Sequence, residues 1–93
     1  MKIPDRNTVT KLEELPNIGR VISKYINLIG IETPQMLIGQ NPYDLYEKLC
    51  EKTGKKFDPC LLDTFIAAVH FMEGGDPLPW WAFTENRKKE FVS

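Results

Sequence analysis

The sequence offers little material for metal or nucleophilic chemistry. It holds one histidine, His70, and two cysteines, Cys50 and Cys60. A metal site needs three or four ligands at working spacing, and no CxxC, HxH or HExxH pattern is present. No metal and no cofactor is therefore expected. A Cys–His pair would lack an orienting third group and anything like an oxyanion hole. Enzyme is thus the last-ranked reading, and no small-molecule substrate is expected. Cys50 and Cys60 both fall on predicted helices in apolar surroundings, where free, buried cysteine is the simplest reading. His70, between Val69 and Phe71, reads as a structural histidine.

Charge of one sign is also missing. Twelve Lys/Arg oppose thirteen Asp/Glu, a formal net charge of −1, so charge alone does not announce a nucleic-acid binder. Its distribution says more: residues 1–30 carry five basic side chains against three acidic ones, whereas residues 31–50 carry one against three. Long apolar runs are absent. No segment approaches the roughly 20 residues of a membrane span. The start, Met1-Lys2-Ile3-Pro4-Asp5-Arg6, lacks the apolar stretch of a signal peptide. A cytoplasmic location with reduced thiols is expected. No alternating strand pattern, internal repeat or low-complexity linker is visible.

What the sequence does have is helix punctuation. Its 93 residues suit one domain. Thr10 with Glu13 reads as a capping box opening a short helix through Leu15, which Pro16 stops. The next helix is expected from about Gly19 to Ile29. Ile18, Val21, Ile22, Tyr25, Ile26 and Ile29 mark its apolar face, and Gly30 with Ile31 closes it. Three further starts place a capping side chain before proline: Thr33-Pro34, Asn41-Pro42 and Asp58-Pro59. The glycines Gly39, Gly54 and Gly74 end the helices so begun, giving helices near 34–38, 42–53 and 59–73. The last of these reads as a central core helix.

After Gly74-Gly75 the composition changes. Asp76-Pro77-Leu78-Pro79 must be extended, because its prolines exclude a helix interior. Of Trp80 and Trp81, one is expected to fold back over the core. The other is expected to stay exposed as a partner anchor. A short charged helix or a frayed tail is expected over 85–91. The expected fold is all-α, with about five short helices and an extended aromatic C-terminal segment. The core spans about 8–83 and the tail 84–93.

The segment Leu12-Glu13-Glu14-Leu15-Pro16-Asn17-Ile18-Gly19-Arg20-Val21-Ile22-Ser23 resembles the helix-hairpin-helix motif, which is apolar-x-x-apolar-Pro-Gly-apolar-Gly followed by a small residue. Leu12, Leu15, Pro16, Ile18, Gly19 and Ser23 match. Asn17 replaces the first glycine, and asparagine tolerates a left-handed backbone better than other side chains. Such a turn delivers free amides at a helix N-terminus, where an anion is favoured. Gly19 is expected at a close, glycine-requiring position, so that Gly19→Val would damage the fold. Arg20 and Lys24 would flank a phosphate, with Asn17 and Ile18 shaping the loop. The same residues equally suit a purely structural turn.

The whole layout resembles the double helix-hairpin-helix, SAM-domain-like arrangement. Lys52-Thr53-Gly54-Lys55-Lys56-Phe57 would then be a degenerate second hairpin. Lys52, Lys55 and Lys56 are secondary phosphate candidates, or simply a solvated loop. At family level the chain resembles the small bacterial pathogenicity-locus proteins, described as related to the C-terminal domain of TfoX-type competence regulators. The matching pieces are Leu15-Pro16-Asn17-Ile18-Gly19, Gly30-Ile31, Gly54-Lys55-Lys56-Phe57-Asp58-Pro59, Phe71-Met72-Glu73-Gly74-Gly75-Asp76-Pro77 and Pro79-Trp80-Trp81. The resemblance implies DNA binding through the hairpin. The competing expectation is a protein-interaction module or homodimer using Pro77–Phe83.

Overall fold

Two proline-led starts are where the chain commits to its longer helices. The computed structural model describes residues 6–85. Its α-helices are α1 (Arg20–Leu28), α2 (Pro42–Thr53) and α3 (Pro59–Met72). Asn41 and Asp58 cap α2 and α3 through side-chain oxygens that accept from the amides of Tyr43 and Cys60, both at 2.9 Å. Proline at the first helical position needs no amide partner and is already set to helical φ. Gly54 follows α2 at φ 68°, a left-handed turn that glycine enters without steric cost.

Of the five expected helices, the first and third are single 3-10 turns, so three of the five form as α-helices among the described residues. Leu12–Glu14 and Pro34–Leu37 each close only one turn, and so does Trp80–Phe83, in a segment expected to be extended throughout. Each is too short to meet the nucleation cost of an α-helix. The all-α class holds, and no strand forms among the described residues. The expected helix at 85–91 lies outside the described residues beyond Glu85.

Two local readings are corrected. The cap on the first turn is Glu14, not Glu13. Its carboxylate accepts from the amides of Lys11 at 2.8 Å and Thr10 at 2.9 Å. Those backbone bonds, led by Thr10, hold the Glu14 carboxyl below its ordinary pKa. The turn starts at Leu12, so the third position of the box falls one residue later than expected. Val21 is not on the apolar face of α1 but 62% exposed. The inward direction of α1 is set by buried Ser23 and Ile26, and at 100° per residue Val21 points well away from both.

The core is one cluster running from Val9 and Leu12 through Ile26 and Leu37 to Leu49, Phe65 and Met72. α3 is its centre. It packs on α2, on the 34–37 turn and on the 80–83 turn, and ten of its residues are buried. At its end Gly74 takes φ 109°, the Gly74 amide returns to Phe71 O and the Gly75 amide to His70 O. This is the paired closure of a Schellman motif. α1 ends the same way at Gly30, with Ile31 packed inward as expected.

The C-terminal segment docks as a strap. Phe83, 8% exposed, enters the core and meets the His70 ring edge-on at 5.1 Å. Thr84 Oγ1 donates to the buried Asp63 carboxylate at 2.8 Å. Arg6 holds the strap's origin, donating to Phe71 O at 2.8 Å and to Gly75 O at 2.6 Å. Trp80 is half-buried and Trp81 is exposed. The aromatic plug of this segment is therefore Phe83, with Trp80 half-buried beside it in the chain and Trp81 left outside.

Candidate nucleic-acid interface

The hairpin turn is built from three buried apolar residues, Leu12, Leu15 and Ile18, which fix its base to the core. The Ile18 amide closes on Leu15 O at 3.2 Å. Between Leu15 and Ile18 the chain reverses through Asn17 at φ 69°, the left-handed conformation expected of the residue in the motif's glycine place. Asn17 does something a glycine could not. Its Nδ2 donates to Leu78 O at 2.9 Å, tying the turn to the strap. No residue spacing announces that bond, because its partners are 61 positions apart.

Ile18 is a core residue, so only its backbone is available at the surface. Gly19 precedes α1 as its N-cap, with φ −99° and ψ −172° and no side-chain cap. That is extended backbone open to any residue, and a Cβ built there meets nothing within 4 Å. The expectation that Gly19 is required by the fold, and that valine there would break it, is not supported. The glycine leaves the first amides of α1 open at the surface.

Arg20 and Lys24 are exposed and lie one turn apart on one face of α1. The outward face also carries Val21 and Leu28, 62% and 45% exposed. No acidic residue occurs between Glu14 and Glu32, so no carboxylate of this stretch competes with an approaching anion. Ser23 fulfils the small position of the motif: it is buried, and its Oγ donates to Arg20 O at 2.8 Å.

The lysine loop lies elsewhere. Lys52 lines a groove with Ile29, Gly30, Lys48 and Glu51, at the far end of α1 from Gly19. Ten residues of helical rise separate the two ends, about 15 Å. Lys55 and Lys56 line an open groove of about 530 Å³ with Tyr46, Glu47, Cys50, Glu51 and Gly54. The ring of the adjoining Phe57 packs tilted against Tyr25 in the middle of α1, with centroids 5.0 Å apart, and its carbonyl accepts from the Tyr46 hydroxyl. Asn17, Ile18, Gly19, Arg20 and Lys24 thus form one segment at the start of α1, whereas Lys52 lies by the far end of α1 and Lys55 and Lys56 share a groove with the Glu47 and Glu51 carboxylates of α2.

Trp80 and Trp81 sit just beyond Leu78 on the strap, their rings edge-to-face at 5.5 Å. Among the described residues no three His, Cys, Asp or Glu side chains come together as metal ligands. No helix among them is long and apolar enough to cross a membrane.

Comparison with known proteins adds the family. The model of the Pathogenicity locus family (Cdd1) matches residues 5–89. The "Mitomycin resistance protein McrB" of Streptomyces lavendulae is 41% identical over 78 residues, covering 84% of this chain and 74% of that protein. No solved structure matches. A family model that runs almost the full length of the sequence, joined by a relative this similar, makes the chain a member of the pathogenicity-locus family.

Proposed function

We propose that this protein is a non-catalytic helix-hairpin-helix module that contacts the backbone of nucleic acid, mainly DNA, without reading base sequence. The observation that carries the reading is the hairpin surface at Asn17–Lys24. A left-handed turn leads into an uncapped helix start whose Gly19 leaves open space. Exposed Arg20 and Lys24 follow in a stretch free of carboxylates. Backbone amides and a guanidinium suit phosphate oxygens, and such contacts position a protein without carrying sequence information. The near-zero net charge limits affinity, so binding should be weak, with Kd about 10⁻⁴–10⁻⁶ M.

A second reading has its own support. Trp81 is 63% exposed and Leu78 39% exposed on one strap, which suits a protein partner or a second copy of the chain. The printed name of the Streptomyces lavendulae relative concerns mitomycin resistance. Survival of cells expressing this chain on mitomycin is therefore a useful companion assay.

Fluorescence-anisotropy titration with duplex DNA at low salt tests the first reading. Wild type should bind every sequence alike, and replacing Arg20 and Lys24 together with alanine should abolish the contact without unfolding the domain. No binding by wild type would overturn the proposal, and a strong preference for one base sequence would contradict the backbone-only mechanism.

A further inference from the structure

We infer that the strap is the second half of the hairpin's binding surface, and that the composite surface takes single-stranded nucleic acid, with Trp81 stacking on a base. The inference rests on the hairpin reading above and specifies its ligand. The joint between the two halves is the bond from Asn17 Nδ2 to Leu78 O. Arg20 lies three residues beyond one partner of that bond and Trp81 three beyond the other. By chain length each Cα is within about 10 Å of its bonded neighbour. A few nucleotides of extended strand span such a surface, which matches the smallest sites of single-strand binders.

The chemistry of the exposed groups points the same way. Arg20 and Lys24 are cations for a phosphodiester backbone. Val21 and Trp81, each more than 60% exposed, are apolar surface that a closed duplex would leave in water. An indole needs an unstacked base to cover it, and a duplex offers none along its length. Trp81 is held ready for this: its ring rests edge-on against half-buried Trp80, and Phe83 anchors the same turn in the core. Stacking on an aromatic face tolerates every base, in keeping with a mode that does not read sequence.

The experiment compares two labelled probes at low salt, an oligothymidylate of about 15 nucleotides and a duplex of the same length. Wild type should bind the single strand more tightly. Trp81→Ala should weaken the single-strand complex at least about fivefold and leave the duplex complex within about twofold. Trp81→Phe should restore most of the loss, and the exposed position means that neither variant disturbs the core. The Trp80→Phe variant keeps Trp81 as its sole indole, whose fluorescence should be quenched on titration with the single strand. Equal affinities in wild type and Trp81→Ala, or an unquenched indole, would overturn the inference and leave the hairpin reading standing. A change in oligomeric state of Trp81→Ala with unchanged single-strand affinity would also overturn it, in favour of a protein contact. No binding of either probe by wild type would remove the hairpin reading and the inference together.

Discussion

Two residues of the Leu12–Ser23 segment exchange the roles that its resemblance to a helix-hairpin-helix suggests. The glycine place is filled by Asn17, which carries the left-handed backbone and a bond to the strap. The true glycine, Gly19, sits in extended backbone with free space around it. The fold itself thus supplies no reason for glycine at 19, whereas the proposed close approach of a phosphate to the backbone would. Gly19→Ser separates the two. Serine is the better N-cap, so the melting temperature should hold or rise by a few degrees. Nucleic-acid affinity should nevertheless fall, because the new side chain stands over the amides. A loss of stability, or unchanged affinity, would show that the extended N-cap does not face the ligand. The left-handed turn was legible in the sequence because only asparagine among the non-glycine residues there suits it. The clamp was not, since a contact between positions 17 and 78 leaves no local pattern.

Among the elements, α2 and α3 were legible almost to the residue, because capping side chain, proline and terminal glycine are each chemical commitments made within one turn. The 3-10 turns were not. Capping and proline signals mark where a helix can start, but length decides whether it propagates, and Pro34–Leu37 and Leu12–Glu14 have none to spare. The outward turn of Val21 was hidden for a different reason. Its spacing fits a helical face, and only packing on α2 and on the Leu12–Glu14 turn chooses which part of that face points in. The end of α3 holds a further detail that spacing could not show. Gly74 needs its positive φ, but Gly75 is needed for space: a Cβ there would lie 2.1 Å from the His70 imidazole. Gly75→Ala should drive the ring off Phe83, and because the contact is with the ring tip of an exposed histidine the domain should lose only about 0.5–1 kcal/mol. His70→Ala removes the obstacle, so the Gly75→Ala/His70→Ala pair should recover most of that loss relative to His70→Ala alone. Urea midpoints of the four proteins measure the coupling. Additive midpoints would mean that the close contact costs nothing.

At the scale of the molecule, the proposed binding turns on how many phosphates one domain would engage. The hairpin offers two cations, Arg20 and Lys24. The lysine loop offers three, but Lys52 shares a groove with Glu51, and Lys55 and Lys56 share theirs with Glu47 and Glu51. Carboxylates within the same groove repel the phosphate that the lysines attract; α1 itself carries none, and Glu13 and Glu32 line a separate groove with its Ser23 and Asn27, away from any lysine-loop residue. The hairpin should therefore dominate duplex binding. With about two phosphates neutralised, the logarithm of affinity should fall against the logarithm of salt with a slope near −1.8, roughly a tenfold loss between 50 and 200 mM. Replacing Lys55 and Lys56 together with alanine should leave that slope nearly unchanged and weaken binding less than the Arg20 and Lys24 pair does. A slope approaching twice that value, brought back toward −1.8 by the Lys55 and Lys56 replacement, would show instead that one DNA molecule reaches from the hairpin to the end of α2. The lysine loop would then be a working second contact despite its acidic neighbours.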